Sequence, residues 1–305
     1  LGVRRDLTND EMLALFKDEP FDFNPGENYR YDNSGYFLLG VIVEKVSGLP
    51  FPRYLDERLF KPLGLRSTMY CAARPIVPHR AAGYIVEGGM LLNALPISTN
   101  VLGGAGSLCS TVLDLVAWQR AFNAGRVVSA ASRDRIRAPG KLNSGEQTSY
   151  GFGLGIGELE GHRLFAHGGG VFGFATWLGY YPDDDLTVTV LSNQEDASPK
   201  QVGRLISRLV LGMPLPTVAD LPVEPGLRSQ IVGKYDLNGE AIAITEKDGA
   251  LWIGRDGAPV RLLYQGNGLF RSRDDVETAF RIETANGVIG LTVLTSGKPA
   301  WAKKV

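Results

Sequence analysis

The apolar positions in the first part of the chain recur at helical spacing, which predicts a helical region. A capping-box pattern at residues 8–11 predicts that a helix begins there. The longest apolar run, residues 35–46, stops at Gly48, and its length and ending favour a helix over a strand. Because this run is apolar on nearly all sides, we expect protein to cover most of its surface. Further helices are predicted at residues 54–60, 111–123 (capped by Ser110) and 200–211.

Apolar and polar residues instead alternate with a period near two between the last two of these helices. The alternation predicts four strands, with Gly161 and the run Asp183-Asp184-Asp185 at the turns, at residues 151–158, 162–169, 173–182 and 186–193. Short turns between consecutive strands favour an antiparallel meander. Helices followed by a meander and a closing helix indicate an α+β fold rather than alternating βαβ units.

The composition changes near residue 212. Four prolines within residues 213–226 are typical of a linker. Short β-type runs follow, with turn signals at residues 236–239, 248–249 and 286–287; the runs are residues 241–245, 251–253, 260–264, 269–271, 278–282 and 288–294. We therefore predict an α+β domain at residues 1–212, a linker at 213–226, and a small all-β barrel or sandwich at 227–305.

Charge and composition exclude several function classes. The 305 residues carry 32 basic and 33 acidic side chains, a formal net charge of −1, which gives no basic surface for nucleic acid or anionic lipid. No apolar run approaches the ~18 residues of a transmembrane helix. Two cysteines, Cys71 and Cys109, are too few for a disulfide framework or a zinc cluster. We predict no metal and no cofactor.

Tyr31 and Asn33 directly precede the long apolar helix, separated by one residue. Side chains alternate along an extended segment, so the phenol and the amide point the same way. Together they offer a hydroxyl that can relay protons and a donor for a substrate carbonyl. An asparagine helix cap beside a packed tyrosine is the alternative interpretation, and the triplet alone favours it.

His167 is followed by Gly168, Gly169 and Gly170 at the end of a predicted strand. Three glycines weaken a strand, but they allow a ligand or another backbone to approach closely. Their N–H groups could bind an extended substrate or a developing oxyanion. A tight hairpin with a chance histidine has comparable weight on these residues alone.

Two other glycine-containing patterns do not indicate a site. Residues 103–106 lack the Lys-Ser or Lys-Thr of a phosphate-binding loop, which favours a structural bend. A G-x-S-x-G nucleophile elbow is absent, so the chain has no α/β-hydrolase nucleophile.

Taken in order, several blocks resemble the serine β-lactamase and penicillin-binding-protein-like hydrolases, in particular the class C β-lactamase, D-alanyl-D-alanine carboxypeptidase and esterase branch. Residues 23–40 (FNPGENYRYDNSGYFLLG) resemble the Y-x-N region and its following helix. Residues 61–65 (KPLGL) and 104–111 (GAGSLCST) are similar to later landmarks, and residues 167–169 stand where that family has its K-T-G strand, in the H-x-G form. The resemblance covers residues ~1 to 212, and the β-rich tail resembles an accessory domain that many such proteins carry.

The resemblance implies roles for these residues and a substrate that is a small molecule or short peptide. Tyr31 would shuttle protons and Asn33 would hold a substrate carbonyl or amide. His167 would polarise the Tyr31 hydroxyl or meet a substrate carboxylate, and the N–H of Gly170 would form half of an oxyanion hole. A neutral imidazole carries less fixed positive charge than lysine, which disfavours efficient β-lactam hydrolysis. Asp32 departs from the small residue usual there, and we expect it to point away from the site.

The family's nucleophile pattern, S-x-x-K, is missing. Serine and lysine three residues apart share one face of a helix, where the amine activates the hydroxyl, yet none of the ten lysines has serine three residues before it. We therefore expect an N-terminally truncated bacterial hydrolase whose nucleophile, and any export signal, lie upstream. Rival hypotheses are a non-catalytic binding member of the fold, and an unrelated α+β protein in which Tyr31 and His167 lie far apart. Oligomeric state and localisation stay open.

Overall fold

The computed structural model describes residues 7–71, 75–95, 98–237, 240–254, 259–273, 275–285, 288–294 and 300–305. Contacts divide the chain into two compact units, one of residues 1–156 with 163–203 and one of residues 157–162 with 204–305. This division falls inside the helix Pro199–Val210. The sequence limits at residues 212 and 226 stay predictions.

Helices begin where polar side chains can accept the first free N–H groups. The Thr8 side chain accepts from the N–H of Glu11 in a complete capping box, as predicted. Thr111, and not Ser110, caps the helix that follows it, while the Ser110 hydroxyl lies 2.8 Å from that of Thr68. The helices are α1 (Asn9–Ala14), α2 (Asn33–Ser47), α3 (Phe51–Leu55), a π-helical stretch (Asp56–Phe60), α4 (Lys61–Leu63), α5 (Val112–Asn123), α6 (Ala130–Arg137), α7 (Pro199–Val210) and α8 (Pro225–Ile231). None of the described helices is long and apolar enough to cross a membrane.

Helix α2 is buried on one side only, which corrects the expectation of cover over most of its surface. Phe37 and Gly40 are buried, whereas Ile42 is 52% and Val46 is 83% exposed. The buried side packs against the short 3₁₀ turn Gly103–Ala105, where Gly104 approaches Gly40 so closely that a Cβ on either glycine would meet backbone. The glycine run at 103–106 is therefore a structural bend, as predicted.

The meander is confirmed as a four-stranded antiparallel sheet in sequence order. Trp177 on its third strand is buried and fits against Gly203 of α7, where any side chain would collide with the indole. The strands are β5 (Gly155–Leu159), β6 (His162–Val171), β7 (Phe174–Tyr181) and β8 (Leu186–Ser192). Two-stranded pairs precede it, β1 (Met69–Tyr70) with β4 (Leu108–Cys109) and β2 (Tyr84–Glu87) with β3 (Met90–Asn93).

Arginine 137 holds the end of α6, a helix that the sequence pattern did not predict, on this sheet. Its guanidinium carbon lies 5.1–5.3 Å from the ring centres of Phe122, Phe165 and Tyr180. Burial lowers the pKa of Arg137 without neutralising it, since arginine titrates far above neutral pH. These cation–π contacts fix the start of the loop that leads to residue 150.

The two cysteines form one disulfide, Cys71–Cys109, beside the β1–β4 pair. Its Cα atoms are 5.2 Å apart, within the usual range for a disulfide. The loop that it closes contains the β2–β3 hairpin and the Gly103–Ala105 turn that supports α2.

The second unit contains a closed eight-stranded antiparallel barrel. Of the two predicted all-β folds, the barrel is therefore the one present. Two strands that the pattern did not predict, β9 and β16, pair with each other and close it. The Tyr235 ring is fully buried in its core, and its hydroxyl donates to the carbonyl of Ile231, 2.6 Å away. The strands are β9 (Gly233–Leu237), β10 (Glu240–Lys247), β11 (Ala250–Gly254), β12 (Val260–Gly266), β13 (Leu269–Ser272), β14 (Ala279–Ala285), β15 (Val288–Leu294) and β16 (Ala300–Lys304).

The predicted turn at Asp248-Gly249 is present, with positive φ at both residues. The turn residues Asn238, Gly239, Asn286 and Gly287 lie outside the described residues.

We expect the disulfide to stabilise the first unit strongly. A cross-link between residues 38 apart restricts the unfolded chain enough to contribute about 4 kcal/mol. The thermal unfolding midpoint measured with a reductant should therefore be well below the midpoint measured without one. The double variant C71S/C109S should unfold at the reduced protein's temperature and be indifferent to reductant. Equal midpoints for the oxidised and reduced wild-type protein would contradict the assignment.

Candidate active site

The candidate site lies at the end of β6, where this strand has one neighbour instead of two. Strand β6 has ten residues and β5 only five, and Gly155 at the start of β5 lies next to the carbonyl of Ala166. Backbone groups of alternate residues face the same neighbour in an antiparallel ladder. The groups of Gly168 and Gly170 therefore face the same side as those of Ala166, past the start of β5.

The glycines of this edge are exposed and pair on the other side with β7. Gly168 lies opposite Trp177, Gly169 opposite Thr176 and Gly170 opposite Ala175. Nothing in the described residues lies within 4 Å of the place that a Cβ on Gly170 would occupy. Because β6 extends past the start of β5, the N–H groups on this side can donate to a ligand.

Both ring nitrogens of His167 are hydrogen-bonded. Nε2 lies 2.8 Å from the hydroxyl of Tyr150, and Nδ1 contacts the carbonyl oxygen of Gly168. A carbonyl oxygen only accepts hydrogen bonds, so Nδ1 carries a proton. The imidazole is held in one orientation at the beginning of the exposed edge.

The loop between α6 and β5 positions Tyr150. The carbonyl of Tyr150 accepts from the N–H of Gly140 (2.9 Å) and from the hydroxyl of Thr148 (2.9 Å). Gly151 follows it and passes so close to the carbonyl of Ile136 that a side chain there would collide. Tyr150 is not among the site residues predicted from the sequence, although Gly151 and Gly153 after it signal a tight backbone path.

Tyr31 and Tyr150 lie against this histidine, and Tyr29 and Tyr36 lie close to Tyr150. The ring of Tyr29 stacks on that of Tyr150 with a centroid distance of 5.8 Å, and Tyr31 meets Tyr150 edge-on at 5.9 Å. Burial is the largest cause that raises the pKa of Tyr150 well above the usual tyrosine range, and neighbouring phenols add to it. Burial likewise raises the pKa values of Tyr29 and Tyr36.

Tyr31 and His167 lie close together. Their ring centres are 6.1 Å apart, and the Tyr31 side chain is 49% exposed, so its hydroxyl is accessible to a ligand. The structure therefore brings together the two side chains that the sequence singled out for chemistry. The described contacts of the imidazole nitrogens are with Tyr150 and Gly168, however, and not with the hydroxyl of Tyr31.

Asp32, and not Asn33, caps helix α2. Its carboxylate accepts from the N–H groups of Ser34 and Gly35, each at 2.8 Å. The cap turns the Asp32 side chain onto the helix end, and Asn33 becomes the exposed first residue of α2. The asparagine-cap alternative is therefore wrong, and the Asn33 amide remains accessible.

A cavity of about 340 Å³ is lined in part by Tyr29 and Tyr150 of the tyrosine cluster. Phe152 and Leu142 add apolar surface to its wall, and Arg135 and Lys141 also line it. Among the described residues, no group of three or more His, Cys, Asp or Glu side chains is arranged to hold a metal ion.

Comparisons with known proteins place these residues in a wider group. The sequence profile described as Beta-lactamase matches residues 2–211. Penicillin-binding protein 4* of Bacillus subtilis (strain 168) is 28% identical over 273 residues, which are 80% of this chain and 60% of the relative. A D-aminopeptidase of Brucella anthropi is 28% identical over 193 residues, 63% of this chain and 36% of the relative. The chain thus spans between 36% and 60% of the length of the curated relatives that it matches.

Solved structures share the fold. The octameric penicillin-binding protein homologue from Pyrococcus abyssi superposes with a TM-score of 0.64 at 22% identity, covering 97% of this chain and 70% of that one. A D-stereospecific amidohydrolase from Streptomyces sp. gives a TM-score of 0.60 at 24% identity, covering 68% of this chain and 62% of that one. At such identities the likeness concerns the fold alone, which is the β-lactamase/transpeptidase-like fold expected from the sequence.

Removal of the Asp32 carboxylate should destabilise the beginning of helix α2, between Tyr31 and Asn33 in the chain. Asp32→Ala leaves two N–H groups without their acceptor, and loss of such a cap costs about 1 kcal/mol. Asp32→Asn keeps an accepting oxygen and should lose much less. Urea unfolding followed by circular dichroism measures both, and an Asp32→Ala midpoint equal to that of the wild type would show that the cap contributes nothing.

The tyrosine cluster should make the protein sensitive to alkali. Because the pKa of Tyr150 is higher in the folded than in the unfolded chain, its contribution to stability is complete below about pH 10 and is lost as the pH rises further. Thermal midpoints between pH 8 and 11 should fall steeply in the wild type and less steeply in Tyr150→Phe. Tyr54→Phe, in helix α3, serves as the control. A Tyr150→Phe slope as steep as the wild-type slope would oppose this prediction.

Proposed function

Since the chain belongs to the β-lactamase family, we propose that it forms part of a serine hydrolase that cleaves an ester or amide through an acyl-enzyme. The observation that carries the proposal is the proximity of the Tyr31 and His167 rings, 6.1 Å apart, at the open edge of β6. A proton-transferring hydroxyl and free N–H donors at one place are what acyl transfer requires.

In this proposal each residue has one task. A substrate lies along the β6 edge, close to Gly168 and Gly169, which leave room for it. The amide of Asn33 holds a carbonyl or amide of the substrate. The N–H of Gly170 donates to the oxyanion that forms when the nucleophile attacks, and Tyr31 transfers a proton to the leaving group. No metal or cofactor takes part in these steps.

The nucleophile is assigned to sequence outside these 305 residues. None of the ten lysines of the chain has a serine three residues before it, so the serine–lysine pair of the family has no counterpart here. In the proposal that serine attacks the substrate carbonyl and the lysine takes its proton, while Tyr31 protonates the leaving group and regains a proton from the lysine. Water then hydrolyses the acyl-enzyme, which releases the acid and restores the serine.

The substrate that we propose is an ester or the amide of a D-amino acid, and not a β-lactam. A neutral imidazole at position 167 offers no fixed charge for the carboxylate of a penicillin. The names of the relatives, D-aminopeptidase and D-stereospecific amidohydrolase, support the same class. The cavity lined by Tyr29, Tyr150 and Phe152 would accept an apolar side chain of such a substrate.

Export from the cell is part of the proposal. Disulfides persist in oxidising compartments, and the Cys71–Cys109 bond supports a location outside the cytosol.

A second candidate function is binding without catalysis. The missing S-x-x-K pair favours it, and the open edge of β6 could pair with an extended peptide or a cell-wall fragment. The two functions differ in whether a covalent intermediate forms.

Acylation distinguishes these two functions. A fluorophosphonate probe should label no serine of the 305-residue chain, and should label one serine in the longest natural protein that contains it. In that longer protein Tyr31→Phe should lower kcat by about 100-fold, the lower end of the usual contribution of acid–base catalysis, and Tyr54→Phe should not.

Two results would contradict the proposal. Labelling of a serine within the 305 residues would show that the proposed location of the nucleophile is wrong. A longer natural protein that binds D-amino-acid peptides without being labelled or cleaving them would favour the binding function.

A further inference from the structure

We propose that Tyr150 is a positioning residue that fixes His167 as the neutral imidazole with its proton on Nδ1. The proposal rests on the assignment of His167 to the proposed active site, but the state of the imidazole can be measured without any reaction. Neither the Y-x-N nor the H-x-G pattern contains Tyr150.

The bond at Nδ1 determines where one proton lies. The carbonyl of Gly168 can only accept, so Nδ1 of His167 must donate to it. In a neutral imidazole the other nitrogen then carries the lone pair. The hydroxyl of Tyr150, 2.8 Å from Nε2, is the group that donates to it.

Packing prevents Tyr150 from leaving this position. Its ring lies between the stacked ring of Tyr29 and the edge of Tyr31, with centroids 5.8 and 5.9 Å away. Its own backbone carbonyl is held by two hydrogen bonds, from Gly140 and Thr148. Burial also raises the pKa of Tyr150, so the phenol keeps the hydrogen that it donates.

A neutral imidazole changes what this site can recognise. Both nitrogens are engaged within the protein, so His167 presents no cation to a carboxylate beside the scissile bond. The imidazole instead lines the site in one orientation, with its ring centre 6.1 Å from that of Tyr31. We therefore expect the substrate to have an uncharged group beside His167.

Nitrogen NMR tests the inference directly on the 305-residue chain. The protein contains three histidines, so two-bond proton–nitrogen spectra of a ¹⁵N-histidine sample resolve each ring. At pH 7.5 we expect His167 to show a protonated, pyrrole-type Nδ1 and an unprotonated, pyridine-type Nε2. In Tyr150→Phe the ratio of the Nδ1–H to the Nε2–H form should fall about fivefold, the factor that corresponds to one net hydrogen bond.

Tyr29→Phe is the matched control, because it keeps the ring that stacks on Tyr150 and removes no bond to His167. Its His167 signals should equal those of the wild type. Unchanged signals of His79 and His162 would show that Tyr150→Phe is folded.

The inference is overturned if Nε2 carries the proton in the wild type, if His167 is doubly protonated at pH 7.5, or if Tyr150→Phe leaves the ratio unchanged. These outcomes are independent of the acylation test, so hydrolysis can fail while the tautomer is confirmed, and the reverse.

Discussion

The unequal lengths of β5 and β6 are the constraint on which the site depends. Because β5 has five residues and β6 has ten, the glycine-rich end of β6 pairs only with β7. Its other backbone groups remain available, and a strand edge with free N–H groups attracts a partner. Glycine at residue 169 avoids a close contact with the Thr176 hydroxyl, and the place of a Cβ on Gly170 is empty. The glycines cost conformational entropy, and the seven-residue ladder with β7 offsets that cost.

The tyrosine cluster gives this edge its chemical character. Tyr150 comes from a loop that Arg137 and the close passage of Gly151 hold against the sheet. Tyr31 comes from the segment that Asp32 turns into α2. Two separately held segments therefore bring Tyr150 and Tyr31 next to His167. All of these residues belong to the first unit, and the barrel has its own core around Tyr235 and Phe270.

Local sequence signals predicted those parts of the fold that depend on local interactions. The capping box at Thr8, the alternation in the meander and the glycine that ends α2 each report a conformation within a few residues. The strands β9 and β16 were missed because their pairing joins residues almost seventy positions apart, which no local pattern reports. Ser110 and Thr111 are both good caps, and the contact of Ser110 with the distant Thr68 decides between them. The short Y-x-N and H-x-G motifs of the family predicted Tyr31 and His167. Tyr150 belongs to neither motif, and its hydrogen-bond partner His167 lies 17 residues further along the chain.

His167 stands where the family's K-T-G strand has lysine, and its state depends on its neighbours Gly168 and Tyr150. An imidazole alone near neutral pH would be a mixture of charged and uncharged forms. The carbonyl of Gly168 selects a protonated Nδ1, and a phenol that keeps its hydrogen selects an unprotonated Nε2. With these two contacts, the neutral ring with its proton on Nδ1 has a hydrogen-bond partner at both nitrogens. In the proposed function, a site built in this way favours an uncharged group at the place where a lysine would attract a carboxylate.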